Sequence, residues 1–210
     1  MIDIRYYWGR DCPDAVFSFR YEVYVAELQR PQRYACHATR TIRDPLDATA
    51  HHGVAYRGEE IVAVVRLNFI RDGNLGEYRA LYDVDALSPQ EKMTSAICTR
   101  IMTARRYRHT PLGYRMIESA FRFSADHDVT ICLIDVNAPR EQLFEKLGFR
   151  LIGRVEHPDY GEVSLMRLNG LDIQYLRAIR SPFTPLSEAY LAERDLRPDS
   201  RGNLALAPVR

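Results

Sequence analysis

The chain has little of several features that would narrow its class. Its four cysteines (Cys12, Cys36, Cys98 and Cys132) are scattered, with no CxxC pair and no spacing typical of metal ligands. We therefore expect free thiols and no metal site, which favours a cytoplasmic protein over a disulfide-stabilised secreted one. No apolar run approaches the length of a membrane span, and the first ten residues do not resemble a signal peptide.

The charge balance excludes another class. The formal net charge is +1, and no part of the chain is basic throughout, so we expect no nucleic-acid partner. Hydrophobic residues make up 46% and charged residues 27%, as in an ordinary globular protein. A length of 210 residues is enough for one domain with a real core and an appendage.

Strand and helix patterns alternate along the chain and predict an α/β (α+β) fold. Strands are predicted over residues 2–7, 52–56, 61–69, 96–104, 129–136, 151–156 and 162–168, and helices over about 13–28, near 89, over 112–127, from Asn137 as cap, over 171–179 and over 186–193. Residues 29–47 are polar and contain two prolines, so they are predicted as a long loop. We divide the chain into a domain over 1–170 and a helical extension and tail over 171–210, used for packing, dimerisation or covering the site.

The turn RHTPLG, residues 108–113, lies between a predicted strand and a predicted helix. The first N–H groups of a helix have no partner within it, and the helix dipole makes them an anion site. Arg105, Arg106 and Arg108 crowd this turn, which favours a ligand that carries phosphate. The alternative is an ordinary strand-to-helix turn with solvated arginines.

Two motifs resemble the GNAT acyltransferase superfamily over roughly residues 2–168. Arg108 and Gly113 match the ends of its Arg/Gln-x-x-Gly-x-Gly/Ala motif, whose backbone amides hold the pyrophosphate of coenzyme A, while Pro111 replaces the middle glycine and removes one donor. Residues 137–149, NAPREQLFEKLGF, are similar to the family's Asn followed by YEKLGF. The resemblance implies a mixed, mostly antiparallel sheet flanked by helices, with a helical C-terminal appendage and with Asn137 on the donor side.

The same resemblance implies how the thioester is handled. Backbone N–H groups near Met102, Thr103 and Ala104, where GNAT strands splay apart, would bind the developing oxyanion. Phe144, assigned here to substrate binding, stands where the family often has a tyrosine that protonates the departing thiol. A thiol with a pKa of about 8.5 can depart as thiolate, so this exchange is compatible with catalysis.

A second, narrower resemblance covers residues 20–100. Four matches in order are similar to acyl-homoserine-lactone synthases and to long-chain N-acyl amino acid synthases: Arg20 with Tyr24, Asp44-Pro-Leu-Asp47, Arg66-Leu67, and Thr99-Arg100. This implies an acyl donor carried by acyl carrier protein or CoA, with Arg20, Tyr24 and Arg66 binding substrate. The family's tryptophan is absent near Arg30, and Ile97 replaces its glutamate. The lost carboxylate favours simple amide formation over lactone formation.

Amide formation from a thioester requires a neutral amine. An α-amino group is about a tenth neutral at pH 7, and a lysine-type amine less than about one part in a thousand, so a weak base suffices for an amino-acid-like acceptor. Asp44 and Asp47 are predicted to bind the acceptor's ammonium or to act as its base; the alternative is that they cap backbone amides in a loop. Arg100 lies in a strand that should be buried, so we expect it to pair with Asp44 or Asp47. Such a pair could orient the site or be purely structural.

Other polar residues are weaker candidates. Glu77 is a candidate base, with an exposed loop acid as the default interpretation. His51 and His52 are predicted to be surface residues at a strand end rather than catalysts. Tyr160 lies at a predicted hairpin tip, where turn chemistry accounts for it, and contact with the acceptor is the alternative.

These features predict an N-acyltransferase that moves an acyl group from acyl carrier protein or acyl-CoA to the amine of a small, amino-acid-like molecule. Acyl carrier protein and a second copy of the chain are the candidate protein partners. One alternative is an acetyl-CoA-dependent acetyltransferase of a small amine or a protein. Another is a GNAT-shaped protein that binds a thioester but no longer catalyses, which Ile97 and Phe144 motivate.

Overall fold

A seven-stranded sheet forms the centre of the protein in the computed structural model, which describes residues 1–196. In the order of pairing across the sheet, its strands are β1 (Asp3–Trp8), β4 (His51–Arg57), β5 (Glu60–Phe69), β6 (Ser95–Thr103), β7 (Ile131–Val136), β9 (Gly161–Asn169) and β8 (Arg150–His157). Only β6 and β7 pair in parallel. This confirms the predicted mixed, mostly antiparallel sheet.

Helices flank the sheet on both faces. They are α1 (Asp14–Tyr21), α2 (Tyr78–Leu81), α3 (Pro89–Thr94), α4 (Leu112–Asp126), α5 (Glu141–Leu147), α6 (Ile173–Ala178) and α7 (Thr184–Leu196). The helix predicted over 13–28 is α1 continued by a π-helix, Glu22–Glu27. Short 3-10 turns occur at Gly9–Asp11, Pro45–Thr49, Ile70–Asp72, Val84–Ala86, Arg105–Tyr107 and Ala138–Arg140. Within the described chain, no helix is both long and apolar enough to cross a membrane.

One local prediction is wrong and another is met in part. Residues 29–47 are not loop throughout, because β2 (Ala35–Cys36) and β3 (Thr41–Ile42) pair with each other and the 3-10 turn Pro45–Thr49 begins there. Asn137 takes the predicted cap position, with Pro139 in the first turn, but its side chain makes no capping hydrogen bond. The chain first makes a 3-10 turn, in which the Arg140 N–H donates to the Asn137 carbonyl, and α5 begins after it.

The apolar face of α4 packs on one side of the sheet. Leu112, Met116, Ile117 and Ala120 recur at helical spacing and lie in the largest core cluster. On the opposite side, Val16 and Phe17 of α1 pack against β4 and β5. A third cluster, on the α1 side, joins Ile97, Leu133 and Tyr78. The sheet is therefore covered on both faces in its middle.

A bulge interrupts β6 in the middle of the sheet. Thr99 pairs with Arg66 and Met102 with Val64, so Arg100 and Ile101 together oppose one residue of β5. Arg100 has a φ of +55°, in the left-handed region. The bulge therefore keeps Arg100 on the same face as Thr99, while Ile101 packs in the cluster on the other face.

The strands β6 and β7 diverge soon after they meet. Their parallel ladder joins Ser95–Ile97 to Ile131–Leu133, and no later pair between them occurs in the part of the chain that the structure describes. The rest of each strand lines an opening, which we call the β6–β7 gap. The predicted splay of strands is present at this position.

The C-terminal helices pack into the largest core cluster. Leu176 and Phe183 are fully buried there, and Phe183 stacks on Phe121 at 5.0 Å between ring centroids. The division at residue 170 stays a prediction. Most of the predicted tail over 195–210 lies outside the described residues.

Candidate active site

The segment Asp44-Pro-Leu-Asp47 folds into a self-capped turn. The Asp44 Oδ1 atom accepts from the Leu46 N–H at 3.0 Å, and the Asp47 Oδ2 atom accepts from the Asp44 N–H at 2.8 Å. Pro45 occupies the first position, where its missing N–H is not needed. The predicted capping role is therefore present. The remaining carboxylate oxygens, Asp44 Oδ2 and Asp47 Oδ1, accept from arginines of the sheet and of α1.

Three arginines from different elements converge on these two carboxylates. Arg20 of α1 donates to Asp47 at 2.8 Å, and Arg66 of β5 donates to Asp44 at 2.5 Å and to Asp47 at 3.1 Å. Arg100 of β6 donates to the Asp44 Oδ2 atom at 3.0 Å, which confirms the predicted pairing. Arg66 also donates to the Thr99 hydroxyl at 2.9 Å.

The network is buried and carries more positive than negative charge. Arg20 and Arg66 are fully enclosed, so they support the site from beneath rather than at its surface. Burial alone would raise the pKa of both aspartates, but Arg20 and Arg66 hold the pKa of Asp47 below its ordinary value, and Arg66 and Arg100 lower that of Asp44. A carboxylate with a lowered pKa is a poor base, so this geometry favours a positioning role for the pair.

His52 belongs to this network, and the prediction that it lies at the surface is wrong. It is fully buried because β4 pairs on both sides and α1 covers its face. The Nδ1 atom accepts from Arg20 at 3.1 Å, so the ring proton is on Nε2, which donates to the Asp47 carbonyl at 3.1 Å. Burial and Arg20 lower the pKa of His52 to about 4. His51 is half-buried and packs on Phe69.

Arg100 reaches the edge of the network and contacts three further side chains. Its Nη1 atom donates to the Gln32 Oε1 atom at 2.6 Å and to the Tyr160 hydroxyl at 2.9 Å, and its guanidinium lies 5.5 Å from the centre of the Tyr24 ring. Gln32 was not among the sequence candidates, because it lies in a stretch with no periodic pattern. Tyr24 and Tyr160, in contrast, were named as candidates from the sequence.

Glu77 lies apart from this network. Its carboxylate forms an ion pair with Arg33 at the half-exposed surface. The pair ties the segment before β2 to the start of α2. Its role as a base stays a prediction without a geometric argument in its favour.

The three arginines near the turn that precedes α4 point in different directions. Arg108 donates to the Glu27 carboxylate at 2.5 Å and to the Thr103 carbonyl at 3.3 Å. Arg106 pairs with Glu60, and Arg105 is exposed. β5 and the π-helix thus each hold one of the three arginines in an ion pair, and their role in binding a phosphate-bearing ligand stays a prediction.

The backbone at the end of β6 offers one donor toward the gap. The Ala104 N–H donates to the Val62 carbonyl at 2.9 Å, so it is not free for an oxyanion. N–H groups alternate in direction along a strand, so the Met102 N–H faces β5 and the Thr103 N–H faces away from it. The contact from Arg108 to the Thr103 carbonyl agrees with this direction.

The start of α4 lies beside that strand end. The Arg115 N–H makes the first regular helical bond, to the Pro111 carbonyl, and the Leu112 N–H donates to the Thr110 hydroxyl at 3.3 Å. The N–H groups of Gly113 and Tyr114 precede the first regular helical bond. A Cβ atom on Gly113 would lie 3.9 Å from the Thr103 hydroxyl, which shows how close the two elements are. Asn137 follows β7 on the other side of the gap.

An apolar cavity lies beneath the gap, between α4 and the sheet. Its volume is about 30 Å³. Its lining includes Ile101, Ile117, Ala120, Phe144, Phe149 and Phe183. Phe144 is buried and packs edge-on against Phe149 at 5.4 Å. Among the described residues, no three His, Cys, Asp or Glu side chains are grouped as metal ligands.

Comparisons with known proteins agree with this geometry. A family model described as N-acyl amino acid synthase FeeM matches residues 15–169, more than half of the chain. No curated protein sequence matches the chain significantly.

Solved structures show the same fold at low sequence identity. The CoA-dependent acyl-homoserine lactone synthase MesI has a TM-score of 0.65 and 16% identity, over 90% of this chain and 95% of that one. The acyl-homoserine lactone synthase LasI has a TM-score of 0.64 and 9% identity, over 80% and 90%. An acyl-CoA N-acyltransferase from Pseudomonas aeruginosa has a TM-score of 0.60 and 20% identity, over 80% and 99%.

Proposed function

Because the chain belongs to the FeeM family of N-acyl amino acid synthases, we propose that it transfers an acyl chain from acyl-CoA or acyl carrier protein to the amine of an amino-acid-like acceptor. The protein is an N-acyltransferase, and its reaction forms an amide. This activity sets aside the interpretation as a non-catalytic binding protein. The chain length, the carrier and the acceptor are the parts that we propose.

The β6–β7 gap above the apolar cavity is the observation that carries this proposal. Ile101 lies on β6 and Ile134 on β7, beyond the point where the two strands diverge. Both side chains also line the cavity beneath the gap. A donor whose thioester lies in the gap would direct its acyl chain into this cavity. Apolar walls stabilise a longer chain in proportion to the area that is removed from water.

The reaction requires little from the protein beyond position and polarity. The amine nitrogen attacks the carbonyl carbon, a C–N bond forms and the C–S bond breaks. The Thr103 N–H, which faces the gap, would donate to the oxygen as it gains negative charge. Holding amine and thioester together supplies the larger part of the acceleration.

The size of the cavity favours one alternative. An open volume of about 30 Å³ is too small for a long chain unless side chains move. An acetyl group, with a single methyl group to accommodate, would need far less movement. An acetyl-CoA-dependent N-acetyltransferase is therefore the second candidate.

A direct assay separates the two. The full-length protein is given octanoyl-CoA, octanoyl acyl carrier protein or acetyl-CoA, each with an equimolar mixture of the twenty amino acids, and products are identified by mass spectrometry. We expect an N-octanoyl amino acid, together with thiol release that requires the amino acids. Products from acetyl-CoA alone would favour the acetyltransferase. No acylated amino acid with any donor would overturn the proposal.

A further inference from the structure

We infer that Asp135 receives the proton of the acceptor's amine, while Arg100 and His157 bind the acceptor's carboxylate. The acceptor is then an α-amino acid, bound at the mouth of the β6–β7 gap. This inference rests on the proposed function and assigns residues to its acceptor site. Four features of the structure support it.

Arg100 and Asp135 border the gap from its two sides and on the same face. Asp135 lies two residues beyond Leu133, the last residue of β7 that pairs with β6. Side chains two apart on a strand share a face, so Asp135 is on the face of Leu133. Its contact with Tyr82, a member of the same cluster as Leu133 and Ile97, agrees with this. The bulge at Arg100 turns its side chain to that face as well.

Two side chains that contact Tyr160 each carry a buried donor without a hydrogen-bond partner in the described part of the chain. The Nδ1 atom of His157 accepts from the Asp159 N–H at 3.0 Å, so the Nε2 atom carries the proton. Among the described residues, neither His157 Nε2 nor Arg100 Nε has a hydrogen-bond partner. His157 is 2% exposed and Arg100 8% exposed. The His157 ring packs at a tilt against the Tyr160 ring, with 4.6 Å between ring centroids, and Arg100 contacts the Tyr160 hydroxyl.

Unpaired buried donors are rare in proteins because their desolvation is not compensated. A carboxylate offers two oxygens, one for each of these N–H groups, and its negative charge strengthens both hydrogen bonds. A protonated amine without a carboxylate has no acceptor to offer them.

The charge of the buried network also favours an anion. Arg20, Arg66 and Arg100 carry three positive charges, and Asp44 and Asp47 carry two negative ones. His52 adds none at neutral pH, because burial lowers its pKa to about 4. Asp135, across the gap from Arg100, balances this surplus while it is ionised. Once Asp135 takes up the acceptor's proton, a bound carboxylate would balance the surplus instead.

Asp135 has the properties of a base. Burial raises its pKa above the ordinary value, with His157, Tyr82 and Arg100 opposing this effect. The Tyr82 hydroxyl donates to its Oδ1 atom at a long 3.3 Å. Its side chain is only partly enclosed, so it can return a proton to water. A carboxylate with a raised pKa accepts a proton more readily than Asp44 or Asp47.

The proton balance of the step is complete. The α-ammonium group loses one proton to Asp135, and the neutral nitrogen attacks the thioester carbonyl. As the C–N bond forms and the C–S bond breaks, the nitrogen loses a second proton, which the departing thiolate accepts. Asp135 then releases its proton to solvent.

The first test is Asp135→Asn. Asp85→Asn is the matched control, because Asp85 is exposed and forms an ion pair with Arg79 at the surface. With octanoyl-CoA and the amino acid that the wild type acylates best, we expect kcat/KM of Asp135→Asn to fall about a hundredfold at pH 7. Its rate should then rise steadily with pH as the amine becomes neutral without help, while the wild-type rate levels off. Asp85→Asn should match the wild type.

The second test separates carboxylate binding from folding. His157→Phe keeps the ring contact with Tyr160 but removes the Nε2–H group, together with the Nδ1 atom that accepts from the Asp159 N–H. We expect the wild type to prefer the amino acid over its carboxamide by about tenfold or more, since a hydrogen bond to a charged group is lost with the amide. His157→Phe should reduce this preference through KM while it retains turnover of the carboxamide.

The outcomes distinguish this inference from the proposed function. If the wild type acylates no amino acid, the proposed function fails. If the wild type is active and Asp135→Asn keeps its rate and its pH profile, the role of Asp135 is refuted. An unchanged preference between acid and carboxamide in His157→Phe would refute the carboxylate site.

Discussion

The Nη2 atom of Arg100 donates to the Oδ2 atom of Asp44 at 3.0 Å, across 56 positions of the sequence. Arg100 makes this contact from a left-handed backbone at the bulge of β6, next to the β6–β7 gap. Asp44 makes it from a turn that its own side chain caps. The pair therefore links the edge of the gap to a locally rigid turn.

Replacing Asp44 tests how much this link stabilises the fold. Asp44→Asn leaves Arg66 and Arg100 buried with one carboxylate fewer, so we expect the free energy of unfolding to fall by about 3 kcal/mol. The measurement is urea denaturation followed by circular dichroism. Asp14→Asn is the control, because Asp14 pairs with Arg43 at the exposed surface and its loss should leave the midpoint unchanged. Equal midpoints for the two variants would contradict the prediction.

The buried His52 predicts a loss of stability in mild acid. Its pKa is lowered to about 4, whereas the unfolded chain takes up the proton near pH 6.5. Between these values the unfolded state binds more protons, so stability is complete above about pH 6.5 and falls toward pH 4, by at most about 3 kcal/mol. Denaturation at pH 7 and pH 5 measures this. His52→Gln should flatten the change, and His109→Gln, at an exposed position, should not.

The cavity under α4 predicts a determinant of chain length. Ala120 lines the cavity, and Ala120→Val would narrow it by two methyl groups. We expect turnover of octanoyl-CoA to fall about tenfold, since overpacking of about 1–3 kcal/mol acts on the longer chain, while acetyl-CoA turnover is unchanged. Ala125→Val is the control, because Ala125 is buried in the same helix but is not among the cavity's lining residues. The same loss in both variants would argue against a chain site here.

Replacing Arg108 and replacing Glu27 should have opposite effects on the binding of the acyl donor. If the donor's phosphates bind Arg108, then Arg108→Ala should raise KM for octanoyl-CoA about tenfold, a typical loss for one charge-assisted contact. Glu27→Gln releases Arg108 from its ion pair and should lower KM. Octanoyl-pantetheine, which lacks these phosphates, should respond to neither change. Raised KM in both variants would instead indicate that the ion pair only supports the fold.

Gly148 predicts a steric requirement at the end of α5. It has a φ of +113°, and an added Cβ atom would lie 2.4 Å from a methyl group of the fully buried Leu176. We expect Gly148→Ala to lower the free energy of unfolding by about 1–3 kcal/mol more than Gly58→Ala. Gly58 has a φ of +63° and open space around its Cβ position, so it isolates backbone strain. Similar losses in the two variants would count against the clash.

The sequence predicted the sheet because its strands alternate or are continuously apolar. The hairpin of β4 and β5 and the pairing of Arg100 with an aspartate follow from this pattern and from the requirement that a buried arginine has a partner. The burial of His52 could not be predicted, because nothing local shows that β4 pairs on both sides. The bulge at Arg100 could not be predicted either, because no glycine occurs in this strand. Gln32 and His157 lie in segments where only tertiary contacts decide the position of a side chain.

The C-terminal segment contributes Phe183 to the lining of the cavity. Phe183, from the turn before α7, closes it against Phe121 of α4. A segment distant in sequence from β6 and β7 could thus vary the depth of the proposed acyl pocket during evolution, while the strands that we propose to hold the thioester stay the same. Exchanging this segment between related synthases offers a way to retune which fatty chains are accepted without altering the reaction centre.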